Sequence, residues 1–410
     1  MSRNAKLRLK VCRVVTVPQT YAALLTEQLQ LITQKGIDLT IVSAPGPELT
    51  AVGISVGANP IAIPMRRVPA PASDLRSLWS LTQLLRKNRF DIVHSSTPKA
   101  GLLSVLAGTM ARVPVRMHTF TGQPWVELRG MKRQIVRQCD FITAGLSNHC
   151  YADSFSQRDF LIRQGLVAPA KISVPANGSI SGVNLERFSR RAWRDSAARL
   201  LRTKLGISEE SIVVVFLGRV TRDKGVVELA QAHQKLCSRH DSLHTVLVGP
   251  LEPDRDPLPA DVLSVLHSSK RIHCVGFTAN PERYLALADI FCLPSYREGF
   301  GTVAIEASAM GLPAVVSRIV GLVDAVEDGV TGLFVPPKNV EALASCLERL
   351  ILSPELRAQL GRAGQTRAES LFSSQRVNTA VVNEYFRVAP FASWRSSAAL
   401  QRDCPAFDLH

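Results

Sequence analysis

Apolar, β-branched runs alternate with amphipathic stretches along the whole chain, a pattern that predicts repeated strand–helix–strand units. In the first half the strand-like runs are Lys10–Val17, Leu39–Ser43, Ala62–Ile63, Ile92–Ser95, Val115–Thr119, Phe141–Ala144 and Ile172–Val174. Tyr21–Lys35, Asp74–Asn88, Lys99–Ala111, Lys132–Gln138 and Ser156–Gln164 read as the intervening helices. The rhythm restarts with strands Ser211–Leu217, Leu243–Val248, Ile272–Val275, Ile290–Leu293, Pro313–Ser317 and Gly332–Val335. Helices Gly225–Arg239, Ala260–His267, Pro281–Ala288, Val303–Met310, Leu322–Val326, Val340–Leu352 and Pro354–Leu371 accompany them. Near-continuous apolar strands between helices imply an α/β fold with parallel sheets covered on both faces. Between the two series lies Pro175–Asn184, rich in turn formers and read as a hinge. The expected architecture is two doubly wound, Rossmann-like domains facing across a cleft, over 1–184 and 185–372. A C-terminal helix, able to cross back to the first domain, and a tail follow over 373–410. Phe391–His410 has no periodicity and reads as loosely packed.

Within this pattern one stretch carries candidate chemistry. Pro294–Glu306 runs from a strand through the turn Glu298-Gly299-Phe300-Gly301-Thr302 into a helix, with Glu306 about one turn in. Free N–H groups at such a helix start attract phosphate. Carboxylates repel phosphate but accept hydrogen bonds from sugar hydroxyls. Two glutamates around an anion-binding turn therefore suggest a ligand with sugars on both sides of a phosphate. A chance pair of acids beside an ordinary strand–turn–helix is the alternative.

The same half holds Gly218-Arg219 after one strand and Lys224-Gly225 before a helix. Gly218 lets a ligand approach the backbone, Arg219 offers a fork of donors for a diphosphate, and Lys224 adds a point charge. The segment is neither a Walker loop nor GxGxxG. Val275-Gly276-Phe277-Thr278 follows a third strand, where Gly276 exposes backbone groups able to read a nucleobase edge. Taken singly, each could be a solvated surface turn.

Composition bounds the rest. The 410 residues suffice for two domains, and 46% hydrophobic with 20% charged residues fits a water-soluble globular protein. No apolar run approaches the roughly 20 residues that span a bilayer. The N-terminus lacks a signal-peptide core, so a cytoplasmic location is expected. Eight cysteines are scattered without CxxC or zinc-type spacing. Asp254-Arg255-Asp256 has DxD spacing but lies in a Pro-rich loop and reads as structural, so no metal site is expected. Residues 1–189 hold 23 Lys/Arg against 10 Asp/Glu, a net +13, and the remainder nets only +2. This asymmetry favours an anionic partner: a membrane surface, a diphosphate or nucleic acid. A generally basic solvated surface is the alternative. Nucleic acid is the weakest of the three partners, and no nucleic acid is expected, given the 6% aromatic content and the lack of any recognisable nucleic-acid motif. Trp125–Gln138 mixes apolar residues with Arg129, Lys132, Arg133 and Arg137, which suits an anionic membrane surface. A solvated helix face is the alternative.

Gly218-Arg219, Lys224-Gly225, Val275-Gly276 and the E-x7-E spacing of Glu298 and Glu306 together resemble the donor half of retaining GT-B glycosyltransferases, family 4. Glu327–Pro336 is also similar to that family, and His94–Gly101 and His118–Gln123 resemble its bacterial surface-polysaccharide branch. The resemblance implies that Glu306 and Gly276 hold the nucleoside, and that Gly218, Arg219 and Lys224 hold the diphosphate. Glu298, Gly299, Phe300, Gly301 and Thr302 would hold the donor sugar. His118 and Glu298 would stand at the reacting centre, with Gln19, His94 and Lys99 on the acceptor side. The family implies no essential metal and no cofactor. One departure is the loop Thr16-Val-Pro-Gln-Thr20, where Pro18 and Gln19 replace flexible glycines.

The expected activity is transfer, with retention, of a hexose or N-acetylhexosamine from a nucleotide sugar, uridine diphosphate first among candidates. The expected acceptor is a polyprenyl-diphosphate-linked glycan at the inner face of the cytoplasmic membrane, in surface-polysaccharide synthesis. A sugar-nucleotide epimerase of the same fold and a non-catalytic sugar-nucleotide-binding subunit are the rival classes.

Overall fold

A computed structural model describes residues 8–190, 195–253 and 256–389. Phe391–His410 and Asp254 therefore lie outside the described residues. Strands β1 (Lys10–Val14), β2 (Asp38–Ser43), β3 (Asn59–Ala62), β4 (Ile92–Ser95), β5 (Val115–Phe120), β6 (His149–Ala152) and β7 (Ile172–Ser173) form one sheet in the order β3-β2-β1-β4-β5-β6-β7. A second sheet, ordered β10-β9-β8-β11-β12-β13, holds β8 (Ile212–Leu217), β9 (Leu243–Val248), β10 (Ile272–Gly276), β11 (Ile290–Leu293), β12 (Ala314–Ser317) and β13 (Gly332–Val335). β8 pairs in parallel with β9 and β11, and β1 with β2 and β4. Their sequences explain it: Ile-Val-Val-Val-Phe-Leu of β8 and Ile-Phe-Cys-Leu of β11 are apolar on both faces, as a strand covered by helices on each side must be.

Both sheets reverse strand order beside the first strand of each series, between β1 and β4 and between β8 and β11. At such a point the loops leaving the two strands diverge to opposite faces and open a crevice at the carboxyl ends. Contact density divides the described residues into two compact units. One comprises the residues up to Thr119, Cys139–Cys150 and those from Asn378 onward; the other comprises Phe120–Gln138 and Tyr151–Val377. The second unit buries a large apolar core built on Val213–Leu217, Ile290–Leu293 and Ala314–Val316.

One expected strand is corrected. Phe141–Ala144 lies inside the helix Gly130–Leu146, where Asp140, Thr143 and Ala144 turn inward at helical spacing and Phe141 turns out. The β-branched Ile142 and Thr143 mimic a strand locally, but the periodicity is helical. The strand beyond it, β6, starts at His149 and was not anticipated. The helices Pro47–Val56 and Asp195–Lys204 also escaped the periodicity reading. Pro175–Asn184 is a succession of turns with Ala176, Gly178, Ser179 and Gly182 at positive φ.

Candidate active site

The loops leaving β8 and β11 meet at the carboxyl end of the second sheet. Gly225, at φ 74°, lies flat against the other loop: a methyl group on its Cα would come 2.0 Å from the Pro294 carbonyl oxygen. Only glycine permits this approach. Immediately flanking it, Lys224 donates from Nζ to Glu298 Oε1 at 2.5 Å, and Ser295 Oγ donates to the same oxygen at 2.8 Å. Arg219 spans two carboxylates, with Nη1 to Glu252 Oε2 at 2.9 Å and Nη2 to Asp223 Oδ2 at 3.1 Å. Arg297 reaches Asp223 Oδ2 as well, at 3.2 Å. Three cations and three carboxylates thus interlock across the crevice.

Their electrostatics follow from this mesh. Burial works against the charge of Arg219, but Asp223 and Glu252 more than offset it and its pKa is raised. Burial likewise opposes the Asp223 charge, yet the hydrogen bond from Thr221 Oγ1, with Arg219, Lys224 and Arg297, holds its pKa below the usual carboxylate value. Both groups stay ionised throughout the neutral range.

The helix Thr302–Ala309 begins at Gly301 and points its first N–H groups toward the same loop region. Glu306, one turn in, is partly buried, and no described residue gives its carboxylate a hydrogen bond. Burial pushes its carboxyl up to about 7, with Arg187 pulling it down and Glu282 pushing it up. Phe300 is buried and packs edge-on against Phe372, ring centroids 5.2 Å apart, so its side chain belongs to the core and only its backbone can face a ligand. Thr302 Oγ1 sits 3.4 Å from Ser179 Oγ. On the neighbouring strands the Gly218 N–H donates to Val248 O and the Gly249 N–H to Gly276 O. Beside Gly276 the space is open: a methyl group there would meet no atom within 4 Å. Asp256 Oδ2 accepts the Asp223 N–H at 2.6 Å, which ties the DxD loop to the site backbone.

The first unit holds the other expected site residues, His118, His94, Lys99 and Gln19. His118, on β5, is buried with Nδ1 2.9 Å from Ser95 Oγ, and burial lowers its pKa to about 3. It is a neutral imidazole at any physiological pH. His94 is buried with Nδ1 at 2.5 Å from Arg13 Nη1 and 2.7 Å from the Tyr385 hydroxyl, while Nε2 meets Thr119 Oγ1 at 2.8 Å. Burial first, and the Arg13 charge next, hold its pKa well down. Lys99 Nζ is pinned by both Asp74 oxygens, at 2.8 and 2.9 Å. Gln19 Nε2 donates to Glu48 Oε1 at 3.1 Å. Thr16 ties the loop after β1 to that after β4, its Oγ1 lying 2.7 Å from Thr97 Oγ1.

Residues 198–367 match the family described as glycosyl transferases group 1, and residues 18–178 a glycosyl transferase 4-like domain. The capsular polysaccharide biosynthesis glycosyltransferase CapM of Staphylococcus aureus is 30% identical over 89% of this chain and 94% of its own. The chain belongs to the glycosyltransferases. This glycosyltransferase is also 25% identical, over 85% of its length and 89% of the relative, to an Escherichia coli UDP-Gal:α-D-GlcNAc-diphosphoundecaprenol α-1,3-galactosyltransferase. A glycosyltransferase structure from Rickettsia africae superposes with a TM-score of 0.74 at 20% identity, covering 93% of this chain and 98% of the other. The fold of this glycosyltransferase is GT-B: two Rossmann-like domains, each with a parallel sheet.

The crevice of this glycosyltransferase contains residues that sequence reasoning passed over. Asp223 directly precedes Lys224 and Arg297 lies within Pro294–Glu306, yet only the fold shows that they bind each other. Glu252, after β9, carried no signal at all. In the Trp125–Gln138 segment, Trp125 is buried and stacked on Phe160, with centroids 5.6 Å apart, and so faces inward. Val126, Met131 and Ile135 are exposed there, the last two on a helix that also carries Lys132, Arg133 and Arg137. No helix of the described residues is long and apolar enough to cross a membrane.

Proposed function

We propose that this glycosyltransferase moves a hexose or N-acetylhexosamine from a nucleoside-diphosphate sugar, a uridine nucleotide first, to a polyprenyl-diphosphate-linked glycan. The transfer retains anomeric configuration, needs no metal or other cofactor, and serves surface-polysaccharide assembly. The observation that carries the reading is the Lys224–Glu298 contact at the strand-order reversal, beside the unpartnered Glu306. A diphosphate entering the crevice competes with carboxylates for Lys224 and Arg219. Its binding releases Glu298, which is then free to accept hydrogen bonds from the hydroxyls of the adjoining sugar. Glu306, its carboxylate unpartnered, accepts from ribose hydroxyls in this reading.

Negative charge grows on the departing diphosphate oxygen as the glycosidic bond breaks. Arg219 and Lys224, once exchanged from their carboxylate partners, stabilise that charge together with the N-terminal amides of Thr302–Ala309. The departing phosphate oxygen takes the acceptor proton. Glu298 positions the sugar and forms no covalent bond, and His118, held neutral, can act only through hydrogen bonding. The exposed Met131 and Ile135 among Lys132 and Arg133 suit an anionic leaflet bearing the acceptor, at the cytoplasmic face.

Incubation of the purified chain with single nucleotide sugars, with and without a polyprenyl-diphosphate-linked glycan, tests the reading. Acceptor-dependent release of nucleoside diphosphate is expected. Turnover without acceptor points to an epimerase or hydrolase, and binding without turnover to a non-catalytic subunit.

A further inference from the structure

Gly299, in the middle of the Glu298–Thr302 turn, is clasped by two segments of the same unit. A methyl group on its Cα would lie 2.6 Å from the Thr121 backbone and 3.1 Å from Asp153 Oδ2. Ser154 Oγ donates to the Gly299 carbonyl at 2.9 Å. The Asp153 carboxylate therefore rests against the turn that faces the sugar. Its backbone is locked: the Asp153 N–H donates to Gln157 Oε1 at 2.8 Å, and its carbonyl accepts the Ser179 N–H at 2.7 Å. Gln157 Nε2 in turn donates to Gln123 Oε1 at 3.4 Å.

This string ends in two unused groups. The Asp153 residue is 6% exposed, and no described residue donates a hydrogen bond to its carboxylate. Gln123 is 3% exposed, and its Nε2 has no partner. Buried polar groups are nearly always satisfied, and an exception calls for a reason such as a ligand. One group here accepts and the other donates. Their complement is a substituent that does both, as a sugar hydroxyl or acetamido group does. Burial pushes the Asp153 carboxyl up to about 8.

We propose that Asp153 and Gln123 read a ring substituent of the transferring sugar, and so help select the donor. The inference rests on the nucleotide-sugar reading of the crevice. Neither residue touches the nucleoside or diphosphate in this assignment, so their loss separates sugar recognition from nucleotide recognition.

Asp153→Asn and Gln123→Met, which keep side-chain volume, are compared with wild type by calorimetry using UDP, UDP-hexoses and UDP-N-acetylhexosamines. UDP affinity is expected to stay within about twofold, while the preferred sugar nucleotide weakens about tenfold, the loss of roughly one hydrogen bond. KM for the donor rises more than kcat falls, and a UDP sugar lacking the substituent is bound equally by variant and wild type. Asp153→Asn is expected to melt no lower than wild type, because it removes a buried, unsolvated carboxyl; this controls for misfolding. Equal losses for UDP and UDP sugar, or none for either, overturn the assignment. A wild-type chain that binds no nucleotide sugar overturns the crevice reading and this inference together. Sugar-nucleotide binding that both variants preserve in full overturns this inference alone.

Discussion

The two strand-order reversals have one topology and opposite chemistry. At β8 and β11 charge meets charge: Lys224, Arg219 and Arg297 interlock with Glu298, Asp223 and Glu252, partly open to solvent. Between β1 and β4 the buried cation Arg13 is 1% exposed and is held by neutral groups only. Its guanidinium reaches His94, Gln28, Ser96 and Tyr385, and its Nε has no partner. Among the described residues no carboxylate pairs with it. The first arrangement can exchange partners at little cost, because each cation trades one anion for another. The second cannot, since every hydrogen bond is internal and buried. Topology sets where a crevice forms; the side chains decide whether it is a binding device or a structural clamp.

The largest effect expected from this contrast is on turnover. Lys224→Ala and Glu306→Ala should each lower acceptor-dependent transfer by about 100-fold or more, in line with losing a preorganised contact to developing charge or to substrate. Both variants should remain folded, as judged by circular dichroism. Near-normal transfer by either one would falsify its place in the crevice.

Arg13→Met should show the reverse. It strands buried partners, each worth about 1–3 kcal/mol when left unsatisfied, so the urea midpoint should drop clearly. Nucleotide binding by the fraction still folded should persist. An unchanged midpoint would mean that the clamp contributes nothing.

Glu306 gives a pH signature. Its carboxyl ionises at about 7 in the folded chain against an ordinary 4.5. Between those values the folded state holds a proton that the unfolded state has released. Stability contributed by the protonated form is therefore lost as pH rises through that window, and the loss levels off above about pH 7. Denaturant titrations of wild type and Glu306→Gln should diverge across it, with the variant flatter. Nucleotide affinity should move the other way, rising toward pH 8, because ribose hydroxyls favour the ionised acceptor. Parallel curves for the two proteins would remove Glu306 from this role. His118, neutral throughout, should add no limb near pH 6.5.

The smallest effect concerns the exposed helix. Replacing Met131 and Ile135 with Gln should weaken binding to anionic vesicles severalfold, and added salt should weaken wild type in the same assay. Salt-independent sedimentation would point away from a charged surface.

The second unit was far more legible in the sequence than the first. Its strands are short uninterrupted apolar runs, and β9, β11 and β13 begin and end where the pattern places them. Its candidate residues follow strands directly, so topology alone gathers Gly218, Lys224, Gly276 and Glu298 at one sheet end. In the first unit the polar residues lie within the strands. Arg13 and His94 read as ordinary interruptions of apolar runs, and nothing local reveals that they meet each other and Tyr385 from the far end of the chain. Asp153 and Gln123 were invisible for a related reason: what marks them is the lack of partners after folding, a property that no spacing encodes.

The Gly225 contact with Pro294 has one more consequence. Because main chain rests on main chain there, the separation between the roots of Lys224 and Glu298 is gauged by the backbone and not by either side chain. Substituting a side chain on that gauge can weaken a grip but cannot move it. A chain that comes to hold those two side chains farther apart or closer together would first have to lose the glycine.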